Sequence, residues 1–126
     1  MREEVKQAWI EALESGRYKQ GEDVLRRVTE EDGECFCALG VLCDISGRGE
    51  WMEPDYRGES PYAILVGVLV QDATWKYLPG DVARWAGVDD LLVQVRGETV
   101  AGRNDGGATF AEIAALLRAT PAEEIL

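Results

Sequence analysis

The stretch Phe36-Cys37-Ala38-Leu39-Gly40-Val41-Leu42-Cys43-Asp44 decides the fold of this 126-residue chain. It lies within an apolar run over residues 35–45 that does not alternate with polar residues, which is typical of a buried helix. The Ser46-Gly47 pair that follows is a helix-ending signal. Gly40 costs a helix roughly 1 kcal/mol relative to alanine, so it indicates close packing of another backbone or of a ligand. We therefore predict a central helix over 35–45.

Three other segments have the spacing or the end signals of helices. Apolar residues recur every three to four positions over 3–14 and over 110–118. The second of these is preceded by Thr109, with Glu112 three residues later, which is a capping box. A shorter helix is predicted over 81–86. With the central segment, this gives three or four helices.

The remaining apolar segments are short and indicate strands. Residues 63–70 are predicted to form one buried strand with a bulge at Gly67. Residues 91–101 resemble a small hairpin. The piece over 24–28 fits either a strand or one helical turn, and residues 47–60 are predicted to be a long surface loop. The sequence therefore predicts an α+β fold: a single compact domain over 1–126, with its helices packed on a small, mainly antiparallel sheet.

The charge of the chain restricts its partners. Its net charge is −11, so it repels phosphate backbones and anionic membrane surfaces, and we expect neither nucleic acid nor membrane as a partner. The acidity is open to two interpretations: it keeps the protein soluble, or it forms a face that mimics DNA or docks on a basic protein. No apolar stretch approaches the roughly 20 residues of a membrane-spanning helix.

The inventory of reactive groups argues against catalysis. The chain has no histidine, which removes the commonest general base and metal ligand. Cys35, Cys37 and Cys43 lie on one short segment and give an incomplete tetrahedral zinc set, so we expect core packing, with a metal site or a reactive thiol as alternatives. No phosphate-binding loop, dinucleotide fingerprint or EF-hand loop is present. We predict no catalytic residues, no metal and no cofactor.

The N-terminal sequence leads directly into the first predicted helix and does not resemble a signal peptide. The odd number of cysteines fits a reducing compartment. We therefore expect a cytoplasmic protein.

Several blocks of this chain, taken in order, resemble a family of small accessory proteins of tailed phages and prophages. They are Tyr18-Lys19-Gln20-Gly21, the cysteine block at 36–44, Leu78-Pro79 with Val82 and Trp85, and Asn104-Asp105 leading into 110–114. The resemblance covers most of the chain outside 47–74. The cysteine block is its most specific part, although the family usually has a second cysteine where this chain has Ala38. The resemblance implies a cytoplasmic accessory protein that is made in the infected host cell.

One loop has the composition of a ligand site. Tyr18 offers an aromatic face, Lys19 a cation and Gln20 an amide beside Gly21, a set that can stack a base and hold a phosphate. Arginines and hydrogen-bonding side chains elsewhere extend it, which gives the predicted ligand-binding residues Tyr18, Lys19, Gln20, Gly21, Arg26, Arg103, Asn104 and Asp105, with Arg27 as a further source of charge. The alternative is an ordinary solvated loop with arginine stems over apolar surface.

These features lead to two hypotheses. The first is a non-enzymatic phage accessory protein that sequesters a small anionic ligand, such as a nucleotide signal of host anti-phage defence. The alternative is an acidic inhibitor that binds a host protein, including by DNA mimicry, through its acidic surface or the loop around Trp51. Trp51 and Trp75 would be anchors for a partner if they are exposed. A homo-oligomer is left open.

Overall fold

Short helices and short strands alternate along the chain in the computed structural model, which describes residues 1–126. The helices are α1 (Glu3–Glu14), α2 (Ala38–Ser46), α3 (Gly80–Ala86), α4 (Val100–Asp105) and α5 (Phe110–Arg118), followed by a 3-10 turn over Ala122–Glu124. The strands are β1 (Lys19–Gln20), β2 (Arg26–Thr29), β3 (Gly33–Phe36), β4 (Glu50–Trp51), β5 (Tyr62–Val66), β6 (Leu69–Thr74), β7 (Gln94–Val95) and β8 (Glu98–Thr99).

The strands form three small sheets. The first has the order β1-β3-β2, with β1 parallel and β2 antiparallel to β3. The second, β4-β5-β6, is antiparallel throughout, and β7 and β8 form a short hairpin. The predicted α+β class and single domain are confirmed, with five α-helices and three sheets where the sequence indicated up to four helices and one sheet.

Helix α2 lies at the centre of the core. Every side chain from Ala38 to Cys43 is buried, and α1 packs against both α2 and α5. Trp9 of α1 is fully buried, and its indole nitrogen donates a hydrogen bond to the Ala38 carbonyl at 3.0 Å. None of the helices has the combined length and apolarity that a membrane crossing requires.

The central helix begins later than the sequence predicts. Cys35 and Phe36 belong to β3, where they pair with Arg27 and Arg26 of β2, and Cys37 is the extended residue before the helix. The apolar run is therefore part strand and part helix. The residues that pair with this strand lie outside the run, in β1 and β2, so periodicity within the run cannot detect the pairing.

The apolar run over 63–70 is not a single strand. The chain turns at Gly67, which has a φ of 63°, and Val66 pairs with Leu69 across the turn. Glycine at positive φ is what a two-residue hairpin loop favours, so Gly67 marks a turn and not the predicted bulge. The register irregularity lies instead between Ile64 and Leu65. From Val66 onward the run is exposed and not buried.

Other segments also form structures that differ from those predicted from their local sequence. The piece over 24–28 contributes to strand β2, and the loop over 47–60 contains β4. The predicted hairpin over 91–101 shrinks to β7 and β8, because Thr99 accepts a hydrogen bond from the Gly102 amide and so caps the additional helix α4. The capping box of Thr109 and Glu112 is confirmed.

Gly40 is explained by backbone packing. A Cβ atom at this position would collide with the carbonyl oxygen of Leu25 and lie 2.8 Å from its carbonyl carbon. The same carbonyl accepts a hydrogen bond from the Cys37 amide at 3.3 Å. The segment before β2 is thus pressed directly against the first turn of α2.

The substitution Gly40→Ala is expected to lower the free energy of unfolding by about 2–3 kcal/mol, because the backbone of Leu25 must move away. Denaturant titration measures this change. The control is Gly80→Ala, where the added methyl group meets only the flexible end of Arg84 at 3.4 Å. Equal stability of the two variants would contradict the packing explanation.

Candidate functional site

The structure does not gather the predicted ligand-binding residues into one site. Lys19, Gln20 and Gly21 line a small cleft of about 330 Å³. Arg103 lines a second cleft, near the N-terminus of α5, and Arg26 a third, beside Trp51. Tyr18, Asn104 and Asp105 line none of the surface clefts.

Gln20 uses its whole amide group inside the protein. Its Nε2 donates to Asn104 Oδ1 at 2.9 Å and to the Ala108 carbonyl at 2.8 Å. Its Oε1 accepts from the amide of Phe110 at 2.9 Å, the first residue of α5. The side chain therefore joins β1 to the ends of α4 and α5.

Asn104 completes this buried polar cluster. It is 1% exposed, and its Nδ2 donates to the Gly21 carbonyl at 2.9 Å. Its Oδ1 also accepts from the Ala38 amide at 3.1 Å, at the start of α2. Beside it, Asp105 accepts from the amide of Asp23 at 2.8 Å. We call Gln20 and Asn104 the amide clamp, because their hydrogen bonds hold four elements together. The polar atoms of Gln20 and Asn104 are already hydrogen-bonded within the protein. A ligand-binding role for these residues stays a prediction.

Tyr18 is likewise engaged within the fold. Its hydroxyl donates to Asp44, which also accepts from the Trp51 indole at 2.9 Å. Its ring packs edge-on against Phe36 at 5.1 Å, and the Arg17 guanidinium lies 5.6 Å from its centre. Burial, and then the hydrogen bond to the Asp44 carboxylate, raise the pKa of Tyr18 to about 12. Tyr18 thus joins β1 to α2 and β4.

The cleft beside Lys19 contains both signs of charge. The Lys19 amine donates to the carbonyl of Asp32 at 3.0 Å and lies 3.6 Å from its carboxylate. Arg27 also lines the cleft, and its buried Nε has no hydrogen-bond partner. Glu22 and the half-exposed Cys35 complete this side of the wall. The cleft can therefore accept an anion only in competition with two carboxylates.

The other predicted arginines are paired within the chain. Arg26 donates to Glu34 at 2.7 Å and to Ser60 at 2.8 Å, and its guanidinium lies 5.7 Å from the centre of the Trp51 ring. Arg103 lies 3.2 Å from Glu98. An anionic ligand would have to displace Glu34 from Arg26, or Glu98 from Arg103, before it could bind either arginine.

The cysteines lie mostly in the core. Cys37 and Cys43 are buried, as predicted, and Cys35 is half-exposed. Burial raises the pKa of the Cys37 thiol to about 11 and that of Cys43 well above its ordinary value, so both thiols are protonated at neutral pH. No group of three or more cysteine or carboxylate side chains is arranged to hold a metal ion.

A larger cavity lies within residues 47–75, whose role the sequence left open. It covers one face of the β4-β5-β6 sheet and has a volume of about 710 Å³. We call it the hairpin groove. Most of its lining is apolar, and its main apolar residues are Trp51, Met52, Ala63, Leu65, Val70 and Trp75. Its carboxylates are Glu50, Glu53, Asp55 and Glu59.

The groove has more carboxylates than ion-pair partners. Arg57 pairs with Glu59 at 2.6 Å and with Asp55 at 3.6 Å. Glu50 and Glu53 form no ion pair. The groove therefore offers apolar contact beside two uncompensated carboxylates.

Apolar side chains are also exposed along the hairpin that borders the groove. Val68 is 95% exposed, Leu69 70% and Val70 50%, and Trp75 at the end of β6 is 43% exposed. A sequence signal for this surface exists: no charged residue occurs between Pro61 and Gln71. That run is also what made the segment look like a buried strand.

Residues 1–121 match a family model described as Domain of unknown function (DUF8296). The chain belongs to this family. No curated protein and no solved structure gives a significant match. The matched range includes every helix and strand from α1 to α5, so the amide clamp and the hairpin groove both lie inside the family domain.

The amide clamp can be tested by truncating Gln20. Gln20→Ala is expected to lower the free energy of unfolding by about 2 kcal/mol, because the Phe110 amide and the Asn104 side chain lose partners. Gln71→Ala is the matched control, since Gln71 is exposed and outside the cluster. If both variants unfold at the same denaturant concentration, the clamp contributes nothing to stability.

The raised pKa of Tyr18 leads us to predict that the protein loses stability at alkaline pH. Because the folded protein raises its pKa from 10.0 to about 12, the protonated phenol favours the native state below pH 10, and this contribution is lost as the pH rises towards 12. Between pH 10 and pH 12, the free energy of unfolding of the wild type should therefore fall relative to that of Tyr18→Phe. Tyr56→Phe, at a 93% exposed position, is the control and should leave the pH profile unchanged.

Proposed function

We propose that this protein is a non-catalytic binding protein that docks a segment of another protein in the hairpin groove. The observation that carries the proposal is the groove itself: a largely apolar cavity of about 710 Å³ on an open sheet face. Exposed apolar surface with polar residues at its rim is a common feature of protein-interaction sites. This supports the second of the two hypotheses that the sequence raised.

The groove has the features of a protein-docking surface. Trp51 and Trp75 line it, and tryptophan is among the residues that most often dominate binding energy at interfaces. Trp51 is held in place by its indole hydrogen bond to Asp44, and the carbonyl of Trp75 accepts from the Leu25 amide at 2.7 Å. Trp51 is half-buried, with its ring against Phe36 and Tyr62, and is therefore ordered before a partner arrives, which lowers the entropic cost of binding. Trp75, at 43% exposure, offers the more accessible ring.

Charge indicates the chemistry of the partner. Glu50 and Glu53 are unpaired at the groove, and the whole chain carries a net charge of −11. A partner with lysine or arginine beside apolar residues would be attracted over a distance and would neutralise these carboxylates on docking. An acidic partner would be repelled.

The resemblance to phage accessory proteins gives this proposal a setting. In this setting, the protein acts in the cytoplasm of the infected host cell, and its partner is a host protein. Three observations support a role without catalysis: the chain lacks histidine, the two core thiols are protonated, and the polar side chains of the amide clamp are already bonded to one another.

A small anionic ligand is a second candidate, at the cleft beside Lys19. The unpartnered, buried Nε of Arg27 favours it, because a buried donor without an acceptor carries a free-energy cost that an anion would remove. Calorimetric titration with cyclic and ADP-ribose-type nucleotides tests this candidate. Heat that is seen with the wild type and lost in Arg27→Gln would support it, and no heat with any of them would contradict it.

Groove docking is tested by selecting binders from a displayed library of random peptides. We expect the enriched peptides to combine apolar with basic residues and to bind Val70→Lys at least about tenfold more weakly than the wild type, since the new charge lies within the apolar lining. Val68→Lys is the matched control, because Val68 lies outside the groove and is 95% exposed. Calorimetry on the full chain gives the affinities.

Two results would contradict groove docking. One is a library that yields no enriched binder. The other is a set of binders whose affinity falls equally in Val68→Lys and Val70→Lys, since that would place the contact at the hairpin tip. Glu50→Lys with Glu53→Lys should weaken binding and reduce its salt dependence, whereas Glu30→Lys with Glu31→Lys, on an exposed turn, should have a smaller effect.

A further inference from the structure

We propose that the partner segment binds as an extended strand along β6 and becomes the fourth strand of the β4-β5-β6 sheet. We further propose that this segment alternates apolar and basic side chains. The inference rests on the proposed function and specifies the form of the partner. It concerns the sheet edge, whereas groove docking concerns only the sheet face.

Strand β6 is an unpaired sheet edge. The order β4-β5-β6 leaves β6 with one neighbour, and at six residues it is the longest strand of the protein. No backbone group from Leu69 to Thr74 forms a hydrogen bond in the turns, loops or caps of the chain. Alternate amide and carbonyl groups of this strand therefore face solvent, in the arrangement to which a peptide strand adds.

The edge also lacks the usual protection against pairing. Natural edge strands are blunted by lysine, proline, an inward charge or a covering element. Strand β6 has no lysine and no proline, and its first four residues are exposed. Its protective features are Asp72, the register irregularity between Ile64 and Leu65, and the burial of Thr74 at its end. An edge left this open is a binding surface for a suitable strand.

A second copy of this chain is a poor occupant of the edge. Antiparallel pairing of β6 with its own copy would bring Asp72 close to its symmetry equivalent near the centre of the new ladder. It would also join two chains that each carry a net charge of −11. A strand of opposite charge meets neither obstacle, so the occupant is a basic segment of a different protein.

The register of β6 sets the pattern of the partner. Val70 and Ala73 pair with Leu65 and Ala63 and line the groove, so they mark the groove face of the strand. Asp72 pairs with Ile64 and lies on the opposite face. Side chains of an added strand would lie roughly 5 Å from these residues on each face. Apolar side chains therefore suit one face of the partner strand, and a lysine or arginine suits the other.

A synthetic peptide of alternating valine and lysine tests the inference, with calorimetry on the full chain. Two further peptides are N-methylated, one at every valine and one at every lysine. Only one of these two sets of amides can face β6, because successive amides of a strand point to opposite sides. We expect one methylated peptide to lose at least about tenfold in affinity and the other to bind like the parent.

The charge requirement is tested on the protein side. Asp72→Lys should weaken binding of the parent peptide by about tenfold or more. Glu31→Lys, at an exposed turn outside the β4-β5-β6 sheet, should have a smaller effect. A peptide of alternating valine and glutamate should not bind. Binding of that peptide as tight as that of the lysine peptide would overturn the proposed pattern.

The edge inference and groove docking fail in different ways. Equal binding of both methylated peptides, or no binding of the parent, overturns strand addition. Groove docking is judged separately, by the library peptides and the contrast between Val70→Lys and Val68→Lys. Library binders that depend on Val70 but tolerate N-methylation at either set of amides would support groove docking and overturn strand addition.

Discussion

The backbone contact between Gly40 and Leu25 is the constraint on which the rest of the structure depends. Because position 40 has no side chain, the carbonyl of Leu25 reaches α2 and accepts the Cys37 amide at 3.3 Å. The amide of Leu25 in turn donates to the carbonyl of Trp75 at 2.7 Å. One residue thus connects the central helix to the end of β6 through backbone hydrogen bonds.

A second constraint comes from buried amides. Gln20 and Asn104 are separated by 84 positions, yet their hydrogen bonds hold β1, α2, α4 and α5 in register. Such side chains have the same chemistry whether they read a ligand or satisfy backbone groups, and composition cannot separate the two uses. Asn104 is 1% exposed and bonds to protein groups in the structure, and leaving those groups unpaired would be costly.

The sequence predicted the elements that depend on local signals. The helices over 3–14 and 110–118 have the same bounds in the structure, because apolar spacing marks both segments and a capping box begins the second. The helix over 35–45 began too early because its first residues pair with β2, and the strand over 63–70 missed a turn because Val66 pairs with Leu69 across Gly67. The groove could not be predicted for the same reason: β4, the following segment and the β5-β6 hairpin form it only after they pair. Tryptophans 51 and 75 were the part of it that local reasoning could identify.

The acidity of the chain and the exposure of its hairpin are physically linked. A hairpin with an apolar, exposed tip and an open edge promotes association between copies, as unpaired strand edges generally do. A net charge of −11 opposes that association at every orientation, because like charges on approaching molecules repel before short-range contacts form. The same field attracts a basic chain. The acidity of the chain therefore opposes the self-association that its exposed edge promotes.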